Sequence, residues 1–157
     1  MKSQFSFSKA VAAGVAGTII MTLFTYMGQL MNIKMNIPEM LSSMFGGNLM
    51  IGWVMHFMIG IILAINYAAI FYTKLKIDSP WLRGAVFGIL PWLMAQIIVM
   101  PMMSMMNGMS FSSGLFSGSF MMAMGSLVGH LIFGAVVGAI YKTENKAVEQ
   151  KGNLNIA

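Results

Sequence analysis

The positions of the charged residues most constrain how this chain can fold, because they are separated by long intervals without any charge. The three longest uncharged intervals are 10–33, 40–73 and 84–141. A helix needs about 20 consecutive apolar residues to cross the hydrocarbon core of a bilayer. The first interval therefore has room for one spanning helix, and the third interval, with 58 residues, has room for two.

The composition agrees with a lipid environment. Hydrophobic residues make up 58% of the chain and charged residues 8%, whereas soluble domains carry about 25% charged residues. This small number of charged residues cannot cover a water-facing surface. We therefore expect the surplus of apolar residues to face a lipid bilayer. The net charge of +5 does not indicate nucleic acid, because the basic residues separate apolar blocks and do not cluster on a polar face.

Turn-forming residues divide the uncharged intervals. The pair Gly46-Gly47 leaves room for one helix in the second interval, and a run rich in Ser, Asn and Gly interrupts the third. We predict a single all-α membrane domain over residues 1–157. Its spanning helices are expected near 10–31, 50–72, 82–103 and 119–141.

Two prolines and the polar tail complete this layout. Pro91 lies inside the third spanning helix and should kink it. Pro38 and Glu39 mark the start of a short interfacial helical turn. The cytoplasmic tail is expected to cover 142–157, and its polar part, 144–157, is expected to be frayed.

Basic residues in the connections predict the orientation. Eight of the nine lie in the N-terminal segment, in the loop between the second and third helices, or in the tail, and Lys34 alone lies on the opposite side. Because cytoplasmic loops are enriched in Lys and Arg, we expect both termini on the cytoplasmic side of the inner membrane.

The two halves of the chain resemble each other. At an offset of 71 residues, which becomes 74 in the second helix of each half, several Gly, Met and Asn positions coincide. His56 and Tyr67 then meet His130 and Tyr141. Because each half contains two helices, this pattern predicts a parallel repeat, a four-helix transmembrane bundle built from two tandem helical hairpins.

Each half contains one His followed after four residues by Gly: His56 with Gly60, and His130 with Gly134. Small residues at this spacing indicate a helix–helix contact, so each imidazole should point inward from opposite corners of the bundle. One interpretation is a hydrogen bond to a polar residue of a neighbouring helix. The candidates are Thr18, Thr22, Thr25, Gln29 and Gln96.

The other interpretation is a haem b held between His56 and His130, with Gly60 and Gly134 leaving room for the flat ring. This pairing resembles the arrangement in b-type cytochromes, which implies electron transfer. Two features depart from that pattern: Arg83 is the only Arg available for the propionates, and His56 lies 18 residues from Lys74 whereas His130 lies 12 from Lys142. If both helices ended at those lysines, the imidazoles would differ in depth by about 9 Å.

Methionine is abundant, with 20 residues, many of them near the predicted outer side. Thioethers are soft ligands that select Cu(I), so we consider a copper site or a copper permeation path at Met102, Met103, Met105 and Met106. The alternative is that these residues are flexible apolar filler.

In overall pattern the chain resembles small, uncharacterised four-helix membrane proteins of bacteria. It contains no recognisable catalytic set or phosphate-binding loop. We therefore expect a non-enzymatic subunit or scaffold that packs through Gly-rich helix faces, with other membrane subunits or further copies of itself as partners. A b-haem electron-transfer protein and a Met-rich copper protein are the alternatives.

Overall fold

In the computed structural model of the protein, residues 5–30 and 35–154 are described, and over these ranges the structure contains helices and no strands. Four helices are long and apolar enough to cross a membrane, which confirms the all-α prediction with four spanning helices. These are α1 (Phe7–Leu30), α3 (Leu49–Lys74), α4 (Pro80–Met106) and α6 (Phe120–Leu154, apolar up to Tyr141).

Two short helices connect the spanning helices at one end of the bundle. Helix α2 (Ile37–Ser43) begins after Asn36, whose side chain accepts a hydrogen bond from the Glu39 backbone N–H, and Pro38 fits the first turn because that turn needs no proline N–H. Helix α5 (Phe111–Gly114) is followed by a 3₁₀ turn, Leu115–Gly118. The predicted interfacial turn at Pro38 is thus a short helix.

The third spanning helix does not end or break at Pro91. The α-helical pattern of α4 instead changes in a π-helical turn, Ala95–Val99, between Pro91 and Pro101. A proline has no N–H to donate, so one helical hydrogen bond is missing at Pro91 before this turn and one at Pro101 after it. A second π-helical turn, Tyr67–Phe71, lies near the end of α3.

Glycines determine which helices are neighbours. Gly14 of α1 packs against the Gly60 region of α3, and Gly84 of α4 lies against the backbone of Gly134 in α6. A Cβ on Gly84 would overlap the Gly134 carbonyl oxygen, so only glycine allows this approach.

The resulting neighbours form a row, α3–α1–α6–α4, in which consecutive members run antiparallel. Helices α3 and α4 have few mutual contacts in the described chain, and these occur mainly where the π-helical turn of α3 meets α4. The bundle is therefore tightly packed on three sides and open along the α3–α4 seam.

The last helix is longer than we expected from the polar tail. Its backbone stays helical to Leu154, whereas we predicted fraying over 144–157, of which 155–157 lie outside the described residues. The segment 142–151 contains Lys, Glu, Ala and Gln, which are good helix formers, and Gly does not occur until position 152. Intrinsic propensity thus explains the continuation.

The two ends of the bundle differ in character. At one end, which we call the aromatic end, α1 and α6 are joined by a hydrogen bond from the Ser6 backbone N–H to the Tyr141 hydroxyl, at 3.3 Å. The loop between α3 and α4 lies at the same end, where Arg83 donates hydrogen bonds to the carbonyls of Tyr72 and Ile77. The opposite end, formed by α2, α5 and the adjoining helix ends, we call the vestibule end.

Candidate functional site

A cavity of about 310 Å³ occupies the centre of the bundle and is lined by all four spanning helices. This volume is at the lower limit of the range typical of small-molecule pockets. The polar groups on its wall include His56 of α3, Gln96 of α4 and His130 of α6. The two histidines, which the sequence placed on separate helices, thus border the same space.

Methionine is the commonest residue type on the described part of the cavity wall. Its seven members come from three of the spanning helices, α1, α4 and α6, from α2 and from the connection before α2: Met21, Met35, Met40, Met94, Met100, Met103 and Met122. Within the described residues, no Asp, Glu, Lys or Arg lines the cavity, and no group of three His, Asp or Glu could hold a metal ion. The cavity is therefore uncharged and rich in thioethers.

A second, wider cavity of about 720 Å³ opens at the vestibule end. We call it the vestibule. Its wall is mostly neutral and polar, with Asn36, Asn107 and several serines, and Glu39 is the charged residue in its described lining. The vestibule and the central cavity share four lining residues: Met40, Met100, Met103 and Ser117. The central cavity is thus reached from this end past three methionines.

The hydrogen bonds of His56 define its protonation. Its Nε2 lies 2.9 Å from the Thr22 hydroxyl oxygen, and that oxygen lies 2.7 Å from the Thr18 carbonyl oxygen. A hydroxyl has one proton, and a carbonyl can only accept. Thr22 therefore donates to Thr18 and accepts from Nε2–H of His56, which leaves the lone pair on Nδ1.

His130 is fixed in the opposite tautomer. Its Nδ1 lies 2.8 Å from the carbonyl oxygen of Ser126, one turn earlier in α6. Because the carbonyl can only accept, Nδ1 carries a proton, and in the neutral ring Nε2 then keeps the lone pair. Each neutral imidazole thus has one nitrogen that can bind a metal ion or accept a hydrogen bond.

Gln96 joins the cavity wall to the connection before α6. It is buried within the π-helical turn of α4, its side-chain amide donates to the Ser126 hydroxyl at 3.2 Å, and its carbonyl accepts from the Ser117 hydroxyl at 2.7 Å. Ser117 has a φ of 58°, a left-handed conformation that is uncommon for residues other than glycine. The Gln96 bond holds this turn against the cavity.

The space beside the two glycines that were expected to leave room for a haem ring is filled by neighbouring helices. The space at Gly60 is taken by the Thr18 side chain of α1, and the space at Gly134 is taken by the Gly84 backbone of α4. Gly60 still lies on the cavity wall, whereas Gly134 belongs to the α4–α6 contact.

The two histidines lie at similar depth, contrary to the 9 Å offset expected from the lysines. His56 bonds to Thr22, and Gly129, beside His130, packs against Met21. The lysines were misleading markers of depth because α6 continues as a helix beyond Lys142.

The four methionines singled out from the sequence do not converge. Met103 is 7% exposed and lines both cavities, whereas Met102, Met105 and Met106 are 44%, 57% and 57% exposed. Their positions follow from the helical path of 100–106, which turns neighbouring side chains to different faces.

Sequence reasoning did not identify Met21, Met94 and Met122 as site residues. They are single positions on three different helices, and no local spacing connects them. Only the packing of the bundle brings them together.

Aromatic residues support His56 from behind. The Trp53 ring centroid lies 6.3 Å from that of His56 and 6.5 Å from that of Tyr26 on α1. Trp53 therefore packs beside the site.

The chain matches the model of one protein family, described as a family of unknown function (DUF6789), over residues 6–151. No curated protein and no solved structure matches the chain. Since the family match covers nearly its whole length, the chain belongs to the DUF6789 family of unknown function.

Proposed function

We propose that this integral membrane protein binds a soft monovalent metal ion, Cu(I), in its central cavity. The observation that carries the proposal is the convergence of seven thioethers and two neutral imidazoles on one uncharged space. Thioethers and imidazoles are the side chains that suit Cu(I), whereas harder ions prefer carboxylate and carbonyl oxygens.

The neutral lining also favours a low ionic charge. Burying a charge in an apolar environment is costly unless ligands compensate it, and this wall supplies no described carboxylate. A monovalent ion requires less compensation than a divalent one. The hydrogen bonds from the imidazoles to Thr22 and to the Ser126 carbonyl have the form of outer-shell bonds that orient metal-binding histidines.

Copper is favoured over haem b at the same histidines. The Nε2 of His56 is engaged with Thr22, and the spaces at Gly60 and Gly134 are filled by α1 and α4. A haem would have to displace these contacts, whereas a single ion needs only a small part of the 310 Å³ cavity.

The experiment is a titration of the detergent-purified protein with Cu(I) under reducing conditions, against a coloured Cu(I) chelator. We expect retained Cu(I) in the wild type and at least tenfold weaker binding when Met40, Met100 and Met103 are all replaced by Leu. The matched control replaces Met102, Met105 and Met106 by Leu, and it should bind as the wild type does.

Failure of the wild type to retain Cu(I) would refute the metal site, and wild-type affinity in both triple variants would show that Met40, Met100 and Met103 are not its ligands. A Soret absorption band in protein from haem-replete cells, lost in His56→Ala and His130→Ala, would establish haem in place of copper.

The predicted duplication of a helical hairpin is consistent with this site. Each half contributes one cavity histidine and one buried tyrosine, His56 with Tyr67 and His130 with Tyr141. A site built between two copies of a hairpin would take one ligand from each.

Association with other subunits stays a prediction. The Gly-rich faces that suggested it are used largely inside the bundle, between α1 and α3 and between α4 and α6. Any partner would have to bind other surfaces. Migration of the protein alone, as a monomer, in a mild detergent would count against a scaffold role.

A further inference from the structure

The aromatic end of the bundle closes the central cavity on the side opposite the vestibule. Five rings pack there: Tyr67, Phe71, Tyr72, Phe87 and Tyr141, which we call the aromatic cluster. Neighbouring centroids lie 4.9–6.3 Å apart. Three of its members follow directly from the cavity wall, because Tyr67 lies one turn beyond Leu63, Tyr141 two turns beyond Phe133, and Phe87 one turn from Pro91.

The cluster is a thin barrier. From Leu63 on the cavity wall to Tyr72 at the end of α3, the helix advances about 14 Å at 1.5 Å per residue. Below Tyr72 lie the last residue of α3, Lys74, and the charged loop residues Lys76 and Asp78. Vestibule, cavity and cluster therefore follow one another along the whole depth of the membrane-spanning part.

The cluster contains an unsatisfied polar group. The Tyr67 side chain is 0% exposed, and its hydroxyl has no hydrogen-bond partner within the described residues. A buried hydroxyl without a partner destabilises the arrangement that encloses it. Any rearrangement that admits water or a ligand to Tyr67 relieves this cost.

The backbone at this position is irregular as well. The π-helical turn of α3 begins at Tyr67, and single π-helical turns occur frequently at functional sites. The same turn makes the principal described contact between α3 and α4, so the cluster closes the seam between the two hairpins. Movement of this turn would open the cavity toward the aromatic end.

Arg83 stabilises the closed arrangement. Its guanidinium lies 5.1 Å from the Tyr72 ring centroid and donates hydrogen bonds to the carbonyls of Tyr72 and Ile77. These bonds fix the end of α3 to the loop and the start of α4. The positive charge also opposes the passage of a cation while the cluster is closed.

From these observations we propose that the aromatic cluster is a gate, and that the vestibule and the central cavity form the open half of a route across the membrane for the soft cation. This inference rests on the proposed function, since the cavity site supplies the cation that passes. The unsatisfied Tyr67 hydroxyl lowers the stability of the closed gate, so that the gate can open.

The test uses the full chain in proteoliposomes that contain a Cu(I)-sensitive dye, with Cu(I) added outside under reducing conditions. The wild type should admit Cu(I) faster than protein-free vesicles do. Tyr67→Phe removes the unsatisfied hydroxyl and keeps the ring, so entry should slow by roughly tenfold. Tyr67→Ala removes part of the barrier and should raise the rate several-fold. The control Phe111→Ala, an exposed ring in α5 at the vestibule end, should not change it.

The outcomes separate this inference from the proposed function. If detergent titrations show Cu(I) binding while wild type and Tyr67→Ala admit no more Cu(I) than empty vesicles, the cavity is a closed site and the gate is refuted. Equal rates in the wild type and Tyr67→Phe would also refute it, and because Tyr67→Phe keeps the ring, that result does not depend on whether Tyr67→Ala folds. If the wild type binds no Cu(I) in the detergent titration, the proposed function itself is refuted.

Discussion

At the scale of single residues, protons determine what the site can bind. Thr22 has one proton and gives it to the Thr18 carbonyl, so His56 must donate through Nε2. The carbonyl of Ser126 fixes His130 in the other tautomer. The sequence indicated both histidines and the polar stripe on α1, but it could not predict the tautomers, because they depend on which partner each nitrogen meets after folding.

Thr22→Val removes the acceptor for His56 and keeps the shape of the side chain. We expect the dissociation constant for Cu(I) to rise about 10- to 100-fold, since outer-shell partners orient metal-binding histidines. The matched control is Thr25→Val. The Thr25 hydroxyl donates only to the Thr22 carbonyl within the same helix, at 2.8 Å, so its loss should leave Cu(I) affinity unchanged. Similar losses in both variants would show that the effect is structural and unrelated to His56.

At the scale of helices, the sequence predicted most of what the structure contains. Charge spacing and turn residues are local signals, so they indicated four apolar helices and the short helix after Asn36. The π-helical turns at Tyr67–Phe71 and Ala95–Val99 were not predicted. They depend on how each helix packs against its neighbours, and Pro91 predicted only a kink in the third spanning helix.

The close contact between α4 and α6 should contribute to the thermal stability of the protein. Gly84→Ala would place a Cβ against the Gly134 carbonyl oxygen, and overpacking of this kind costs about 1–3 kcal/mol. Thermal unfolding in detergent should therefore occur at a lower temperature. Gly129→Ala on α6 is the control, because its added Cβ would lie 3.5 Å from the nearest Met21 atom, an ordinary contact distance. The idea of a glycine-dependent α4–α6 contact fails if both variants unfold alike.

At the scale of the whole molecule, the site arises from an unequal packing of the bundle. Three pairs of helices pack closely, whereas α3 and α4 meet mainly at the aromatic end. The cavity occupies the space that this arrangement leaves. No local pattern could predict it, because Met21, Met94 and Met122 lie far apart in the chain and become neighbours only through the tertiary fold.

The orientation of the molecule is open to a direct test. Lys and Arg are concentrated in the segments at the aromatic end, so the positive-inside tendency predicts a cytoplasmic location for that end. Reporters fused behind Ala157 and inserted into the 75–79 loop should both be cytoplasmic, and one inserted at 46–47 should be on the opposite side. An extracytoplasmic reporter behind Ala157 would reverse the direction of the proposed route.

The contact between Trp53 and His56 has a practical consequence. An indole 6.3 Å from the imidazole lies close enough to sense an ion bound there, because a heavy or redox-active cation quenches the emission of a nearby fluorophore. The protein therefore carries its own optical probe for occupancy of the cavity. Its signal should disappear in Trp53→Phe and should persist in Trp81→Phe, since Trp81 is an exposed residue at the start of α4.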